Sequence, residues 1–495
     1  MSATALVLWN KQLSQQEIDK IIYKAKQWAL LHGVQMMPQC SPTTCQCHYA
    51  PMTLFPSPVP ADVITQAKSL QKHYNYLMHR VANDHEFLEN SLKNVVQVDE
   101  FTKMLWDIYT EVHTKKPNTQ PVSLGLFRND YMMDVKDSCC TIKGLPASLN
   151  LKQIEFNTIA SSFAGLSTGI WSVHKYNLSQ AGVKFARSQI PENRPAHGLA
   201  LGLQAAWSHY GVPSACVVFI VQDNETNLMD QKWLEKNLCD IDHNIEVVYS
   251  TLLYAAKNCI LKDDDTLLLD GKEIAVIYFR NGYSPDHYTC DEVKDIRLTM
   301  ELSKAIKCPP VNLQLAGCKK IQQELAAPGA VEKYIKDLDI CVGIRQTFAG
   351  QYSLDKSEEG DKNIEMAMLN PEKFVLKPQR EGGGNNFYGE DVRTTLQKIK
   401  DSDERNAYIL MERIFPWPQK NYLLKEGKDP ILRDVISELG IYGVYLGSAD
   451  TEIYNEVVGH LLRTKSADDN EGGIAAGYAT IDSPLLVQAS SSRKC

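Results

Sequence analysis

The chain has 495 residues, 44% hydrophobic and 23% charged, a balance typical of folded, water-soluble proteins. At roughly 100–200 residues per domain the length suggests about three domains, or two large ones, so a core can form without disulfide or metal staples. Lys and Arg number 52 against 60 Asp and Glu, a net charge of −8, which argues against a general nucleic-acid binder but leaves room for a local basic pocket. The longest apolar runs, such as Cys216–Val221, fall far short of the ~20 residues a membrane-crossing helix needs. The N-terminus lacks the basic segment and apolar core of a secretory signal. The 13 cysteines are irregularly spaced and read as reduced thiols, so a cytoplasmic protein with no membrane partner is expected. Cys40, Cys45, Cys47 and His48 fit no standard zinc spacing and are read as a loop.

In chain order, Ser14-Gln-Gln-Glu17 is a capping box. Ile18, Ile21, Ile22, Ala25, Trp28 and Ala29 follow at helical spacing, and Gly33 ends that helix. Residues 38–60 read as an extended crossing segment, and 61–114 return to helical periodicity. Val122–Phe127 is a short apolar strand ending at Arg128. Leu149–Asn157 alternates, with Leu149, Leu151, Gln153, Glu155 and Asn157 on one face. From 197 to 316 the pattern is that of an open α/β unit. Helices are expected at Gly198–His209 and Met229–Leu238, strands at Cys216–Val221 and Ile245–Ser250, and a hairpin turning at Asp270-Gly271. Leu313–Tyr352 is largely helical, Phe374–Lys377 and Tyr408–Met411 are strands, and Arg433–Leu446 is one or two strands.

The most informative stretch runs from Lys377 to Asn386. A strand ends in a lysine, and arginine, glutamate, three glycines and two asparagines follow. Consecutive glycines let backbone N–H groups wrap an anion. Lys377 and Arg380 add charge directed at phosphate, and Glu381 offers a hard oxygen ligand for Mg²⁺. This is neither the GxxxxGK[ST] phosphate loop nor the kinase GxGxxG loop. Glu155 and Asn157 lie about 6.6 Å apart on one strand face, within reach of a single hard cation. Arg463 and Lys465 share a face if their segment is extended, and a second glycine-rich loop, 471–477, follows. Arg128, Arg280 and Lys319 add cations at element ends. No Ser-His-Asp arrangement or GxSxG elbow is evident, and His460 is read as structural. Together these suggest a site for a nucleoside triphosphate and an anionic substrate.

The segments 124–132, 152–159, 278–283, 374–386, 437–445 and 459–465 closely resemble eukaryotic glutathione synthetases, in matching order from about residue 49 to residue 486. The resemblance implies a mixed α/β fold of the ATP-grasp type in circularly permuted form, with glycine-rich lids. It divides the chain into a mainly helical part (1–115), a strand region carrying metal and substrate residues (116–196), an α/β substrate-binding domain (197–316) and a nucleotide-binding and lid region (317–495). It implies that Glu155, Asn157 and Glu381 hold Mg²⁺ and that Lys319 and Lys377 contact the ATP phosphates. Pro378, Gln379, Arg380, Gly382, Gly383, Gly384, Asn385, Asn386 and Tyr388 would enclose the nucleotide. Met411, Glu412, Arg413 and Ile414 would form the adenine hinge. Glu438 would hold the ribose, and Lys465 and Glu471 would complete the shell. Arg128, Ile159, Ala160, Ser161, Ser162, Glu225, Thr226, Asn227, Gln231, Arg280, Asn281, Gly282, Tyr283, Arg463, Ile474 and Ala475 would line the peptide site. Arg463, Arg128 and Lys377 would stabilise transferred charge.

The implied activity is ligation of γ-glutamylcysteine to glycine, with ATP giving ADP and phosphate through an acyl phosphate, in a homodimeric enzyme. Two departures from the family pattern stand out. Glu471 replaces the more usual Asp, and Ile474 replaces Val, adding a methylene beside the acceptor. The first ~45 residues and the tail after about residue 487 diverge. The alternatives are a ligase for another acceptor such as β-alanine, a non-catalytic sensor that keeps the binding site, and a protein kinase, which the missing catalytic-loop motifs disfavour.

Overall fold

The computed structural model describes residues 13–38, 46–115, 119–135, 141–142, 145–146, 149–381, 384–470, 472–475 and 477–488. Of the residues singled out above, Cys40, Cys45, Gly382, Gly383 and Glu471 lie outside this set. The capping box closes the first helix, Gln15–Leu31, as its sequence predicts: Glu17 Oε2 accepts from the Ser14 amide (2.8 Å) and Ser14 Oγ accepts from the Glu17 amide (3.3 Å). The helical stretch 61–114 divides into Ala61–Ala82, His85–Leu92 and Glu100–Lys115, separated where Asp84 caps the second helix through the Phe87 amide. Cys47 Sγ lies 3.6 Å from Met37 Sδ, and His48 Nδ1 lies 3.0 Å from Glu426.

The strands that carry the site are, in chain order, β1 (Ser123–Asp134), β2 (Asn150–Asn157), β3 (Phe374–Pro378), β4 (Tyr408–Glu412), β5 (Leu432–Gly447) and β6 (Glu452–Ser466). A seven-stranded sheet runs Gln419–Leu424, Met52–Thr53, Thr480–Asp482, β6, β5, β1, β2, antiparallel through its centre. One face packs Leu439, Ile441, Tyr131 and Met133 against Val63, Ile64 and Ala67 of the 61–82 helix. On the other face Leu126, Val444 and Leu446 pack with Ala200 and Leu203 of the helix Pro195–Tyr210. That second face continues along β5 through Gly440, Glu438 and Ile436, as the period of two requires, and there it borders the cleft described below.

β1 extends well beyond the short strand its apolar run predicts. Arg128, Asn129 and Asp130 break the hydrophobic pattern, yet they are paired on both sides by β2 and β5. The α/β unit has the parallel order Val247–Ser250, Cys216–Ile220, Lys272–Phe279, Ile306–Cys308, with the hairpin at Asp270-Gly271 (φ +51° and +81°). The helix Asp291–Leu302 escaped the sequence reading because buried Arg297 and Glu301 interrupt the apolar spacing of Val293, Ile296 and Met300.

A four-stranded sheet, in the order Gln351–Tyr352, β4, β3, Phe387–Tyr388, carries the helices Glu358–Leu369 and Glu390–Ile399 over a core of Leu354, Ile364, Leu376, Val392, Leu396 and Leu410. The segment leaving β4 is tied to the end of β1, with Val135 N donating to Phe415 O (3.0 Å) and Trp417 N to Met133 O (3.2 Å). The two sheets therefore face each other across a cleft. Among the described residues no helix is long and apolar enough to cross a membrane.

His460 is buried in β6. Its backbone is held by Asn193 on both sides (3.0 and 2.6 Å), and its Nδ1 has no partner. Burial, with the nearby Lys68 charge, pushes its pKa down to about 3. A depressed histidine contributes stability that is complete above its unfolded pKa near 6.5 and is lost as pH falls toward the folded value. The denaturation midpoint should therefore drop steadily from pH 7 to pH 4, and His460→Leu should make that slope measurably shallower in urea titrations.

Candidate active site

Strand register builds the floor of the cleft. Arg128 lies opposite Asn157 and Tyr442, Asp130 opposite Glu155 and Gly440, and Glu438 opposite Arg463. Asp130 is the hub. It accepts from Arg128 Nε and Nη2 (2.7 and 2.8 Å), Arg463 Nη2 (3.1 Å) and Asn157 Nδ2 (2.9 Å) while fully buried. Arg463 also pairs with Glu438. Gly440 makes the room: a Cβ there would lie 2.7 Å from Asp130 Oδ1 and 2.9 Å from Arg128 Cδ. Burial lowers the Arg463 pKa against the pull of Asp130, whereas Asp130 outweighs burial at Arg128 and raises it. Sequence reasoning missed Asp130. The available signal was the i, i+2 repeat Arg128, Asp130 on a strand facing Glu155 and Asn157.

Above this floor sits Lys319, the first residue of the helix Lys319–Ala326. Its Nζ lies 3.1 Å from Glu155 Oε2 on β2 and 2.8 Å from Glu381 Oε1 in the glycine-rich loop after β3. Burial would discharge this ammonium, but the two carboxylates prevail and raise its pKa. Burial also opposes ionisation of Glu155, and Lys319, Lys377 and Arg463 overcome it and lower its pKa. Glu381 moves the other way, because burial and the neighbouring Glu155 charge outweigh Lys319. Lys377 Nζ donates to Ile154 O (2.9 Å), which draws β3 to the end of β2.

The donor set fits a hard divalent cation. Two carboxylates from separate elements already converge on one positive centre, and Asn157 spends its amide nitrogen on Arg128 O and Asp130, leaving an amide oxygen. Among the described residues no cluster of three His, Cys, Asp or Glu forms a full metal cage. Mg²⁺ bound together with substrate phosphates needs only one or two carboxylates.

Two adjoining cavities fill the cleft. The first is lined by Arg128, Glu155, Asn157, Arg463, Glu438, Glu381 and Lys377. It extends to Ile159, Ala160, Ser162, Glu225, Thr226, Asn227, Arg280, Tyr283, Ile474 and Ala475. The second is more apolar, walled by Met132, Ile154, Val375, Met411, Ile414 and Ile436 with Glu412 and Arg413. Lys377, Lys465, Asn386 and Tyr388 border both. Where β4 ends, Glu412 N donates to Gly350 O (2.8 Å) and Arg413 N to Lys373 O (2.7 Å). Arg413 Nη2 donates to Asn470 Oδ1 (3.0 Å), and its guanidinium lies 5.7 Å from the Tyr388 ring centroid, so it links the two loops over the cleft.

The far wall is held by Asp230. Its carboxylate accepts from the Phe163 and Gly165 amides (2.8 and 2.7 Å) and pairs with Arg280 (3.2 Å). The wall's backbone is strained, with Ala160, Phe163 and Asn224 at φ +52°, +73° and +58°, a mark of functional loops. Arg280 Nε, Asn227 Oδ1 and Gln231 Oε1 are buried without protein partners, the condition of groups awaiting a polar ligand.

Some sequence-singled residues stand back from both cavities. Arg380 pairs with Asp99 rather than facing the cleft. Gln379 accepts from the Lys320 amide (3.2 Å) and lines a small recess behind Lys319. Asn281 and Gly282 shape the turn beside Arg280, and Gln231 donates to Glu225 (3.2 Å). Ser161, Pro378, Gly384 and Asn385 line neither cavity.

A family model described as eukaryotic glutathione synthase, ATP binding domain, matches residues 15–486. The chain belongs to the eukaryotic glutathione synthase family. It is 44% identical to the Xenopus laevis glutathione synthetase, covering 93% of this chain and 95% of the relative, and 43% identical to that of Homo sapiens, covering 97% and 99%. The chloroplastic enzyme of Arabidopsis thaliana is 38% identical, covering 96% of this chain and 87% of its own. A solved glutathione synthetase-like effector from Globodera pallida, in apo form, shares the fold at a TM-score of 0.76 and 24% identity, covering 97% and 99% of the two chains. Nearly the whole chain is thus of the glutathione synthase family, including both cavities. Because Asp130 holds two buried arginines, Asp130→Asn should cost about 3 kcal/mol of stability, measurable by urea denaturation.

Proposed function

We propose that the chain is an ATP-dependent ligase that joins γ-glutamylcysteine to glycine. The observation that carries this reading is the convergence of Glu155 and Glu381 on Lys319, which puts the strand carboxylate and the glycine-rich loop around one cation. The near full-length similarity to glutathione synthetases of animals and plants supports the same activity. The finer fold assignment is an ATP-grasp body in circularly permuted form, with the 381–388 and 470–478 segments as lids and the 197–316 unit as the peptide domain. The division into 1–115, 116–196, 197–316 and 317–495, a homodimer and a cytoplasmic location belong to the same reading.

In this reading adenine occupies the apolar cavity against the hinge, and the triphosphate runs past Lys377 and Lys465 to the carboxylate pair. Glu155, Glu381 and Asn157 would hold Mg²⁺, which supplies charge neutralisation at the phosphates, while Lys319 turns from the carboxylates toward phosphate oxygen. A carboxylate is a poor electrophile. Transfer of the γ-phosphoryl group to the cysteinyl carboxylate forms an acyl phosphate and releases ADP. The glycine amine then attacks the carbonyl carbon, loses a proton and expels phosphate. No protein nucleophile is needed. Arg463 and Arg128, pre-aimed by Asp130, neutralise charge on the transferring group and the reacting carboxylate. Arg280 and Asn227 supply hydrogen bonds to the γ-glutamyl end, and the lids exclude water from the acyl phosphate. Ile474, only 1% exposed, fills the acceptor end and favours glycine over a longer amino acid.

Incubation with γ-glutamylcysteine, ATP, Mg²⁺ and mixed amino acids should give glutathione by mass spectrometry. ATP hydrolysis indifferent to the dipeptide would overturn the reading. Glu381→Gln should nearly abolish Mg-ATP turnover in a protein that still folds, because Glu155 continues to pair Lys319, with at most a modest fall in melting temperature. Arg463→Ala should lower kcat by roughly 100-fold and leave the KM for ATP within a few-fold; the reverse split would make Arg463 a binding residue only.

A further inference from the structure

His287 holds the turn that presents Tyr283 to the peptide cavity. It ends the short 3₁₀ turn Pro285–His287, outside the site residues discussed so far. Its Nδ1 accepts two backbone N–H groups that flank Tyr283, from Ser284 (3.3 Å) and from Gly282 (3.1 Å), the latter shared with Asn281 Oδ1 (2.9 Å). Its ring packs edge-on against the Tyr283 ring, with centroids 4.7 Å apart at 86°. Tyr283 lines the peptide cavity beside Arg280. The opposite side of the turn is equally tied: Gly282 O accepts from Gln314 Nε2 (2.9 Å) and Tyr288 OH (3.2 Å). Gly282 takes φ +92°, a conformation that glycine adopts readily.

Two N–H donors on one ring nitrogen require that nitrogen to carry a lone pair, so the proton sits on Nε2. A second proton would replace the acceptor with a donor facing two other donors. We propose that neutral His287 is a positioning residue for the dipeptide site, and that its protonation releases the Gly282–Ser284 turn and weakens dipeptide binding. This rests on the ligase reading above.

The surroundings favour the neutral state at physiological pH. Burial lowers the His287 pKa, and Asp286 on the same turn opposes it. The other charges around the turn are compensated: Arg280 is paired with Asp230, and Arg297, on the helix beyond, with Glu301. Glu225, across the cavity, acts on the Tyr283 hydroxyl.

The test compares wild type, His287→Asn and His287→Leu at pH 8.0 and pH 5.0, measuring kcat, the KM for γ-glutamylcysteine and the KM for ATP. Asn places a non-titrating acceptor where Nδ1 lies, and Leu removes the acceptor. Wild-type dipeptide KM should rise at least about threefold on acidification, beyond any change in the KM for ATP. His287→Asn should keep the low KM at pH 8.0 and show a clearly smaller rise at pH 5.0. His287→Leu should have a raised dipeptide KM already at pH 8.0. Calorimetric titration with the dipeptide alone checks the same order without turnover, and His287→Asn keeps the test open if the Leu variant folds poorly. Equal acid sensitivity of wild type and His287→Asn would overturn the proposal. Failure of wild type to make glutathione at pH 8.0 would instead sink the ligase reading.

Discussion

A buried ammonium between two carboxylates organises this molecule. Lys319 reaches Glu155 on the seven-stranded sheet and Glu381 on the loop that leaves the four-stranded one, so one cation ties together elements more than 200 residues apart in the chain. Desolvating three charges is unfavourable, and in a low-dielectric cleft only close compensation offsets it. A site built this way is prepared for exchange. In the proposed reaction, the charges of the nucleotide and Mg²⁺ would let the ammonium trade carboxylate partners for phosphate oxygens without leaving a charge unpaired. The same constraint explains why the loop after β3 has to lie where it does.

Beneath that contact, the sheet acts as a rigid template for charge. Arg128, Asp130, Glu155, Glu438 and Arg463 sit on neighbouring strands in register, and their spacing is set by backbone hydrogen bonds rather than by flexible loops. Asp130 keeps two guanidinium groups from repelling each other, and Gly440 leaves the space in which they meet. The far wall carries the positive-φ residues Ala160, Phe163 and Asn224, and Arg413 links Tyr388 to Asn470 across the cleft.

Much of this was legible in the residues. The spacing of Glu155 and Asn157 placed both on one face, but a register irregularity opposite Asp130 and Tyr131 turns Leu151 and Gln153 to the other face, where the simple alternation had put all of them together; the glycines of the Lys377–Asn386 run marked a loop, and the Asp270-Gly271 turn marked its hairpin. These signals are local, because period-two alternation and glycine conformational freedom are properties of a few adjacent residues. The polar half of β1 was not legible as a strand, since Arg128 and Asp130 are buried by partners contributed from 27 to 333 residues away. The helix Asp291–Leu302 was obscured for the same reason, its Arg297–Glu301 pair occupying core positions normally taken by apolar side chains.

The sequence by itself therefore determined the chemical inventory: cations at strand ends, isolated carboxylates, glycine-rich loops and an α/β unit between them. Only the tertiary structure decided which charges answer one another. It turned Arg380 away from the cleft to buried Asp99, made Asp130 the hub of the floor, set Lys319 between its two carboxylates, and gave His287 the two amides of the Tyr283 turn. The physical reason is range. Backbone preference acts over a few residues, whereas the stability of a buried charge depends on partners that only folding brings within hydrogen-bonding distance.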